Sequence, residues 1–544
     1  MKTLRARWCA LWALALVVST APLPAAARQS AATEIVFGAI TDDSTLKTYP
    51  VTLAAGQAVV ITVDTTSGDL DPVITLYAPE NRGIAANNDD RSPESLDSAL
   101  GYVSVTGGEY RLEVTRFEDT TTSGSFRLTI TIGDPSVLDA LAGITRVQLS
   151  GEMLTYDTEH FRIHYTLEGA DQVDLAYVEL VAKAVEETYQ RQIVELGWAA
   201  PPSDTGMGGN AAYDLYIADL LGTGEGALGY ASRESIIGDN LNSPGVEAYA
   251  ATSYMQIDND FEDVDDGSSP ISLMRATVAH EFHHMVQFGY DAGDVHSWVY
   301  EAAASWIETI TFPEDEDATG YVATAFDYPE VCFGTTNDPT DGQLQYGEWT
   351  FMQFLTDEYG DSAVRELWEQ IALTEGFMSL ETYLLARGGA RLPDVVAAYR
   401  AKNLAREYAF APDFNATVWM ENIVTRPGRW TFEGQGIQEL AANYYEVDLE
   451  AGIYYAGLTN DAGALRLYAL GVGGGQVAFI PLERGGYIDT AAYDRLYLMV
   501  FNPAYDENVE SCVYASYEID LAPGKGTPAL PTRAFDARYF EPLD

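Results

Sequence analysis

Positive charge, histidine and cysteine are all scarce in this chain. Lys and Arg number 30 against 82 Asp and Glu, so the 544 residues carry a formal net charge of −52. Phosphate binding needs clustered Lys and Arg, and the deficit argues against nucleic acid or an anionic lipid surface as a partner. Three cysteines in this length exclude a scaffold built on disulfides. Beyond Val18 no apolar run approaches the roughly 18 residues of a membrane-spanning helix. A G-x-S-x-G elbow and a P-loop are also missing. What is present is a large apolar share, 47%, enough for real cores and too much for a disordered chain. At roughly 150 residues per domain the length predicts three or four domains.

The first segment reads as an address. Lys2, Arg5 and Arg7 open the chain, Trp8 to Val18 is apolar, and Ala25-Ala26-Ala27 offers a cleavage site. That is the layout of a secretory signal peptide over residues 1–27. It predicts a secreted, extracellular protein with no transmembrane segment once the leader is removed. Cys9 would leave with the leader. Cys332 and Cys512 remain, either joined in an oxidising compartment or standing as two separate buried thiols.

Hydrophobic spacing divides the rest into β, α-rich and β parts. Alternation runs from Glu34 to Ile132, as in Val59, Ile61 and Val63, and again in Phe126, Leu128, Ile130 and Ile132. Gly107-Gly108 marks a turn before Tyr110, Leu112 and Val114. These runs predict a small antiparallel sandwich at 34–133. Residues 134–155 read as a linker and 156–428 as an α+β domain, with helical spacing from Leu175 to Leu196 and a stop at Gly197. A second β-sandwich-like domain follows at 429–521, with alternation at Leu465 and Leu467 and at Leu496, Leu498 and Val500. The Pro-rich end, 522–544, reads as a flexible tail. Asp69, Asp71, Asp89, Asp90 and Asp97 gather in turns of the first sandwich. They could hold Ca²⁺, or stand as solvated turn carboxylates.

The chemistry concentrates at HEFHHMVQFGYDAGDVHSWVYEAAASWIE, residues 280–308. His280, Glu281 and His284 form H-E-x-x-H. Ser269 as cap, Pro270 at the first position and Gly289 as stop predict a helix around them. Positions i and i+4 share a helix face, so the two imidazoles can grip one small cation. Glu281 lies beside them, placed to take a proton from a water that the metal activates. A catalytic zinc takes three protein ligands and keeps one position open. Glu301, on a returning helix, is the expected third ligand, giving one Zn²⁺ held by His280, His284 and Glu301. Glu308, two turns further on, could orient a ligand imidazole or face solvent. His283 reads as a support behind the ligands or as a packed residue, and His296 as part of the loop before Glu301. The competing reading is a core helix with no metal.

Two stretches resemble known families. LAAGQAVVITVDTTSGDLDPVITLY, with GGEYRLEVTRF further on, resembles the bacterial pre-peptidase C-terminal domain. That implies a jelly-roll-like accessory module found beside secreted peptidases. H-E-x-x-H followed by E-x-x-A-x-W-x-E resembles the gluzincins, zinc peptidases of the H-E-x-x-H…E type. WVYEAAASWIE is similar to their W-L-N-E-G-x-A-x-x-x-E signature, with Tyr300 and Ala302 in place of its Asn and Gly. HFRIHYT and YDLYIADL extend a likeness to secreted bacterial metalloproteases across 156–428. The resemblance implies a multidomain protein with a central zincin-like domain. It also implies a zinc endopeptidase acting on protein or peptide substrates. Tyr346 in QYGEWTFMQFL resembles a tyrosine that stabilises the oxyanion in related gluzincins, although the family's neighbouring Lys is absent here. SYMQID, 253–258, is expected either as a sheet edge on which an extended substrate lies or as an ordinary paired strand. Two other functions stay open. One is a binding protein whose middle domain has lost activity; the other is a zinc hydrolase for a non-peptide amide or ester.

Overall fold

The structure is a computed structural model. It describes residues 31–543 apart from 80–83, 92–94, 105, 118–120, 139–140, 142–144, 205, 224–226, 263, 265–267, 295, 316, 341, 432–435, 460–464 and 508–511. The expected leader, 1–27, lies outside the described residues.

Eight short strands open the fold: β1 (Ala32–Ile40), β2 (Lys47–Leu53), β3 (Ala58–Gly68), β4 (Pro72–Tyr77), β5 (Ile84–Asn88), β6 (Ser98–Val103), β7 (Gly108–Arg116) and β8 (Gly124–Gly133). They pair in the orders β1-β8-β3-β6 and β2-β7-β4-β5, the arrangement of a jelly roll. The alternation of β3 places Val59, Ile61 and Val63 opposite Ile132, Ile130 and Leu128 of β8. These residues and Ile74, Leu76, Leu112 and Val114 build a core that belongs to the sandwich alone.

The middle region adds β9 (Leu154–Asp157), β10 (Phe161–Tyr165), β11 (Tyr213–Ala218), β12 (Gly229–Gly238) and β13 (Ala250–Asp258). The order is β12-β13-β11-β10-β9, and β5 of the sandwich pairs with β12, so one mixed sheet of nine strands crosses both regions. SYMQID lies in β13, which is paired antiparallel with β12 and parallel with β11. It is therefore an interior strand; among the described residues β12 is paired with β5 only at Ile236, and its stretch from Gly229 to Arg233 lines the cleft of the site. Leu175–Tyr189 forms a helix capped by Asp174, whose side chain accepts from Tyr177 N–H. The motif helix, Pro270–Phe288, packs against β12, β13 and that first helix. Ser269 precedes it without a side-chain cap bond. The return helix, Ser297–Thr311, packs on the motif helix in turn.

Further helices lead into a last region of strands β14 (Met420–Val424), β15 (Gly428–Trp430), β16 (Ala442–Val447), β17 (Ile453–Thr459), β18 (Arg466–Gly473), β19 (Gln476–Glu483), β20 (Gly485–Asp489), β21 (Arg495–Phe501), β22 (Glu518–Pro523) and β23 (Arg533–Asp536). They form two sheets, ordered β14-β16-β21-β18-β19-β23 and β15-β22-β17-β20. The region begins at β14, ahead of the expected 429. Its six-stranded sheet is buried on both faces. In β21 (Arg495–Phe501), Leu496, Leu498 and Val500 join the core between the two sheets. Tyr497, Met499 and Phe501 point the other way, into the core of the middle region. A continuous apolar run is what two-sided burial demands. The expected flexible tail is packed instead. β23 (Arg533–Asp536) pairs with β19 (Gln476–Glu483), and Phe535 and Leu543 are buried. Cys332 and Cys512 are joined, tying the middle region to this last one. Among the described residues, no helix is long and apolar enough to cross a membrane.

Candidate metal centre

One turn of helix separates His280 from His284, and both rings leave the motif helix toward the return helix. Each ring is fixed through its Nδ1. His280 Nδ1 lies 2.6 Å from Glu308 Oε1. His284 Nδ1 lies 2.7 Å from Gln287 Oε1, while Gln287 Nε2 donates to Tyr300 C=O at 2.9 Å. That second bond sets the Gln287 amide with its oxygen toward His284, so the His284 proton belongs on Nδ1. Both Nε2 lone pairs then face one carboxylate. Glu301 Oε2 stands 3.1 Å from His280 Nε2 and 3.5 Å from His284 Nε2. Two imidazole lone pairs and a carboxylate oxygen repel one another unless positive charge lies among them.

The donor set fits zinc. One ligand atom from each of these three residues can be chosen so that all lie within 4.8 Å of one another. Ligand atoms of a tetrahedral zinc with bonds near 2.1 Å sit roughly 3.4 Å apart, and the two spacings to Glu301 bracket that value. The electrostatics agree. Burial works against charge on His280, yet its bonds to Glu301 and Glu308 hold it well above the ordinary imidazole range. The same balance raises His284, with the charge of Glu301 as the main opposing cause. Burial would raise Glu301 too, but the His284 charge and the bonds from both imidazoles hold it far below the usual carboxylate range. The pocket thus favours a cation at its centre.

Glu281 points to the sheet side of the same helix. It is 7% exposed, and burial pushes its carboxyl up. It accepts a backbone hydrogen bond from Ala231 of β12. A Cβ at Gly229 would come within 2.7 Å of Glu281 Cγ, so glycine lets the strand lie this close. Tyr346 enters from the short helix Leu344–Gly347. Its ring stacks 6.0 Å from His280 and 5.2 Å from Tyr321. Its hydroxyl bonds Glu301, and burial with that negative neighbour holds the phenol well above its ordinary range. Triad, Glu281 and Tyr346 share a cleft of about 820 Å³.

Other candidates lie elsewhere. His283 sits one residue before His284, and a helix turns it about 100° away. It packs edge-on to Trp198 at 4.6 Å and bonds Gln192 at 3.0 Å, behind the helix and not as a support of the ligands. His296 bonds Asp294 and the backbone carbonyl of Glu507, outside the cleft lining. The five turn aspartates do not form a cage. Asp69 accepts from Ser123 N–H, Asp89 from Asp90 N–H and Asp97 from Thr65 N–H. Among the described residues no three of Asp69, Asp71, Asp89, Asp90 and Asp97 bring oxygens within 4.8 Å of one another, although burial and the charge of Asp89 push the carboxyls of Asp71 and Asp90 up. Two features escaped sequence reading. Gln287, three residues after His284 on the same face, was open to the helix-spacing argument. β12 was not, because its role depends on which strands flank it.

Comparison with known proteins touches both the N-terminal sandwich and the middle region. Residues 45–116 match the bacterial pre-peptidase C-terminal domain, and 268–389 match a family of unknown function (DUF6055). No curated protein matches the chain. The pre-peptidase C-terminal domain of collagenase from Bacillus anthracis is 15% identical, covering 18% of this chain and 88% of its own, at a TM-score of 0.16. IMPa from Pseudomonas aeruginosa, solved with an O-glycopeptide, is 11% identical over 70% of this chain and 45% of its own, at 0.17. The M60 catalytic domain of Clostridium perfringens ZmpB, with its CBM51-1 and CBM51-2 domains, is 10% identical over 88% and 73%, at 0.20. At TM-scores this low, none of these likenesses decides the chemistry of the site.

Proposed function

We propose that this protein is a secreted zinc metallopeptidase of the gluzincin type, hydrolysing peptide bonds of extracellular proteins. The observation that carries the reading is the meeting of His280 Nε2, His284 Nε2 and Glu301 Oε2 beside a buried Glu281. His280, His284 and Glu301 would hold the metal, with Glu308 and Gln287 orienting the imidazoles. Zinc bound there supplies Lewis acidity, lowering the pKa of water toward about 7 and polarising a carbonyl. Glu281 takes the proton as water attacks the scissile carbonyl and passes it to the leaving amine. The Tyr346 hydroxyl, beside Glu301, donates to the developing oxyanion.

The substrate lies extended along β12. Leu228 C=O accepts from Asp258 N–H, and antiparallel ladders alternate. The C=O groups of Gly229, Ala231 and Arg233 and the N–H groups of Gly229 and Arg233 therefore face the cleft, where they recognise backbone irrespective of side chains, while the Ala231 N–H is held by Glu281. Secretion fits the layout of residues 1–27 and the Cys332–Cys512 disulfide, which needs an oxidising compartment.

The test is Glu281→Gln in the full chain, assayed on a denatured protein substrate. Zinc measured by elemental analysis stays at one per chain, and hydrolysis drops by roughly 10²–10⁴-fold. Turnover equal to wild type would remove Glu281 as the base; loss of zinc with it would misplace the residue as a ligand.

A further inference from the structure

We propose that the N-terminal sandwich is a working wall of the substrate cleft: it ends the pairing edge of β12 and limits how many residues before the scissile bond can lie extended. This rests on the peptidase reading above.

β12 leaves Glu281 at Gly229 and runs toward the sandwich. At its far end Ile236 pairs with Asn87 of β5. Asn88 Nδ2 donates to Glu234 C=O at 3.2 Å, and Asn88 Oδ1 accepts from Ala99 N–H at 2.9 Å. The backbone groups that continue the edge are thus taken by the sandwich. The junction is firmly packed. Arg146 binds both oxygens of Glu234 at 2.7 Å, and also Asp204 and Asp214, all of them buried. Leu138, Leu141 and Met207 fill a small apolar seam against Val60 and Ala99. The cleft that holds the triad is lined at this end by Asn87 to Arg91.

Direction follows from pairing. A peptide antiparallel to β12 runs from the sandwich toward Glu281, so its residues before the scissile bond point at the wall. From Ala231 to Glu234, whose carbonyl Asn88 takes, an extended strand covers about 10 Å, or about three residues. Longer segments on that side must turn out of the cleft, and among the described residues no strand pairs with this edge of β12 on the other side.

The experiment uses two ladders of peptides built on one cleavable core. One ladder is lengthened residue by residue before the scissile bond, the other after it. For the wild-type chain, kcat/KM along the first ladder rises and then stops rising at about three residues, and the second ladder shows no matching break. Asp90→Trp adds bulk at an exposed position of the wall. It moves the break to shorter peptides and lowers the long-to-short ratio of kcat/KM about tenfold. Equal profiles for the two ladders, or a loss in Asp90→Trp that is the same at every length, would overturn the wall. Anisotropy binding of the same peptides to Glu281→Gln gives a second readout. Failure of every peptide to be cleaved sinks the peptidase reading; a binding profile without a one-sided break sinks the wall.

Discussion

The two β regions flank one middle region and are attached to it by different physics. The N-terminal sandwich closes its own core, and its strands bury alternate residues, as Val59, Ile61 and Val63 do in β3. It meets the middle region through a strand edge, a buried Arg146 cluster and a small seam. The C-terminal region has no such independence. Neighbours along one strand, Leu498 and Met499, belong to two different cores, one of them shared with the helices of the middle region. A module joined by edges can serve as a wall of a cleft while remaining a separate folding unit. A module that shares a core is part of the middle region's stability.

The strongest way to break that contrast is to delete one buried side chain on each side. Tyr444 is fully buried in the shared core, and its hydroxyl donates to Arg400 C=O at 2.8 Å. Tyr444→Ala should cost about 3–5 kcal/mol and lower the unfolding transition of the middle region itself. Leu76→Ala, in the sandwich core, should lower a separate transition and leave zinc content unchanged. Calorimetry of both variants decides it; a single transition moved equally by each would erase the distinction. Next in size is the disulfide. Cys332 and Cys512 close a loop across a separation of 180 residues. Replacing both by Ala should cost about 2–4 kcal/mol, read from urea midpoints. No change would mean that the shared core alone holds the C-terminal region.

The same contrast explains what could be read from the sequence. His280, Glu281 and His284 are legible because helix spacing is local, and Glu301 and Glu308 because their helix returns after one loop. The sandwich was legible because one buried face leaves clean alternation. RLYLMVF in β21 was read only through Leu496, Leu498 and Val500, although its run of apolar residues signals burial on both faces. The tail looked loose because Pro, Gly and polar residues dominate it. Arg533–Asp536 becomes a strand only because β19 offers it an edge. β12 was missed for the same reason, since its neighbours come from two regions. His283 needed no partner to place; its position one residue from His284 already turned it to the other face.

The smallest effect sharpens the C-terminal junction by pH. Glu348 is 2% exposed and accepts from Gly334 N–H at 2.9 Å, two residues beyond Cys332. Burial pushes its carboxyl up to about 8, against the bond from Gly334 and the charge of Arg400. Between its unfolded value of roughly 4.3 and about 8, the folded chain keeps a proton that the unfolded chain has released. Folding therefore takes up a proton, and this contribution is lost as pH rises through that window. The slope is at most about 1.4 kcal/mol per pH unit. Glu348→Gln keeps the carbonyl acceptor for Gly334 and cannot ionise. Urea midpoints at pH 6.5 and 7.5 should fall for wild type by an amount that the variant does not show. If the two proteins lose the same stability over that unit, Glu348 titrates as an ordinary carboxylate, and the loop that anchors the C-terminal region is open to water.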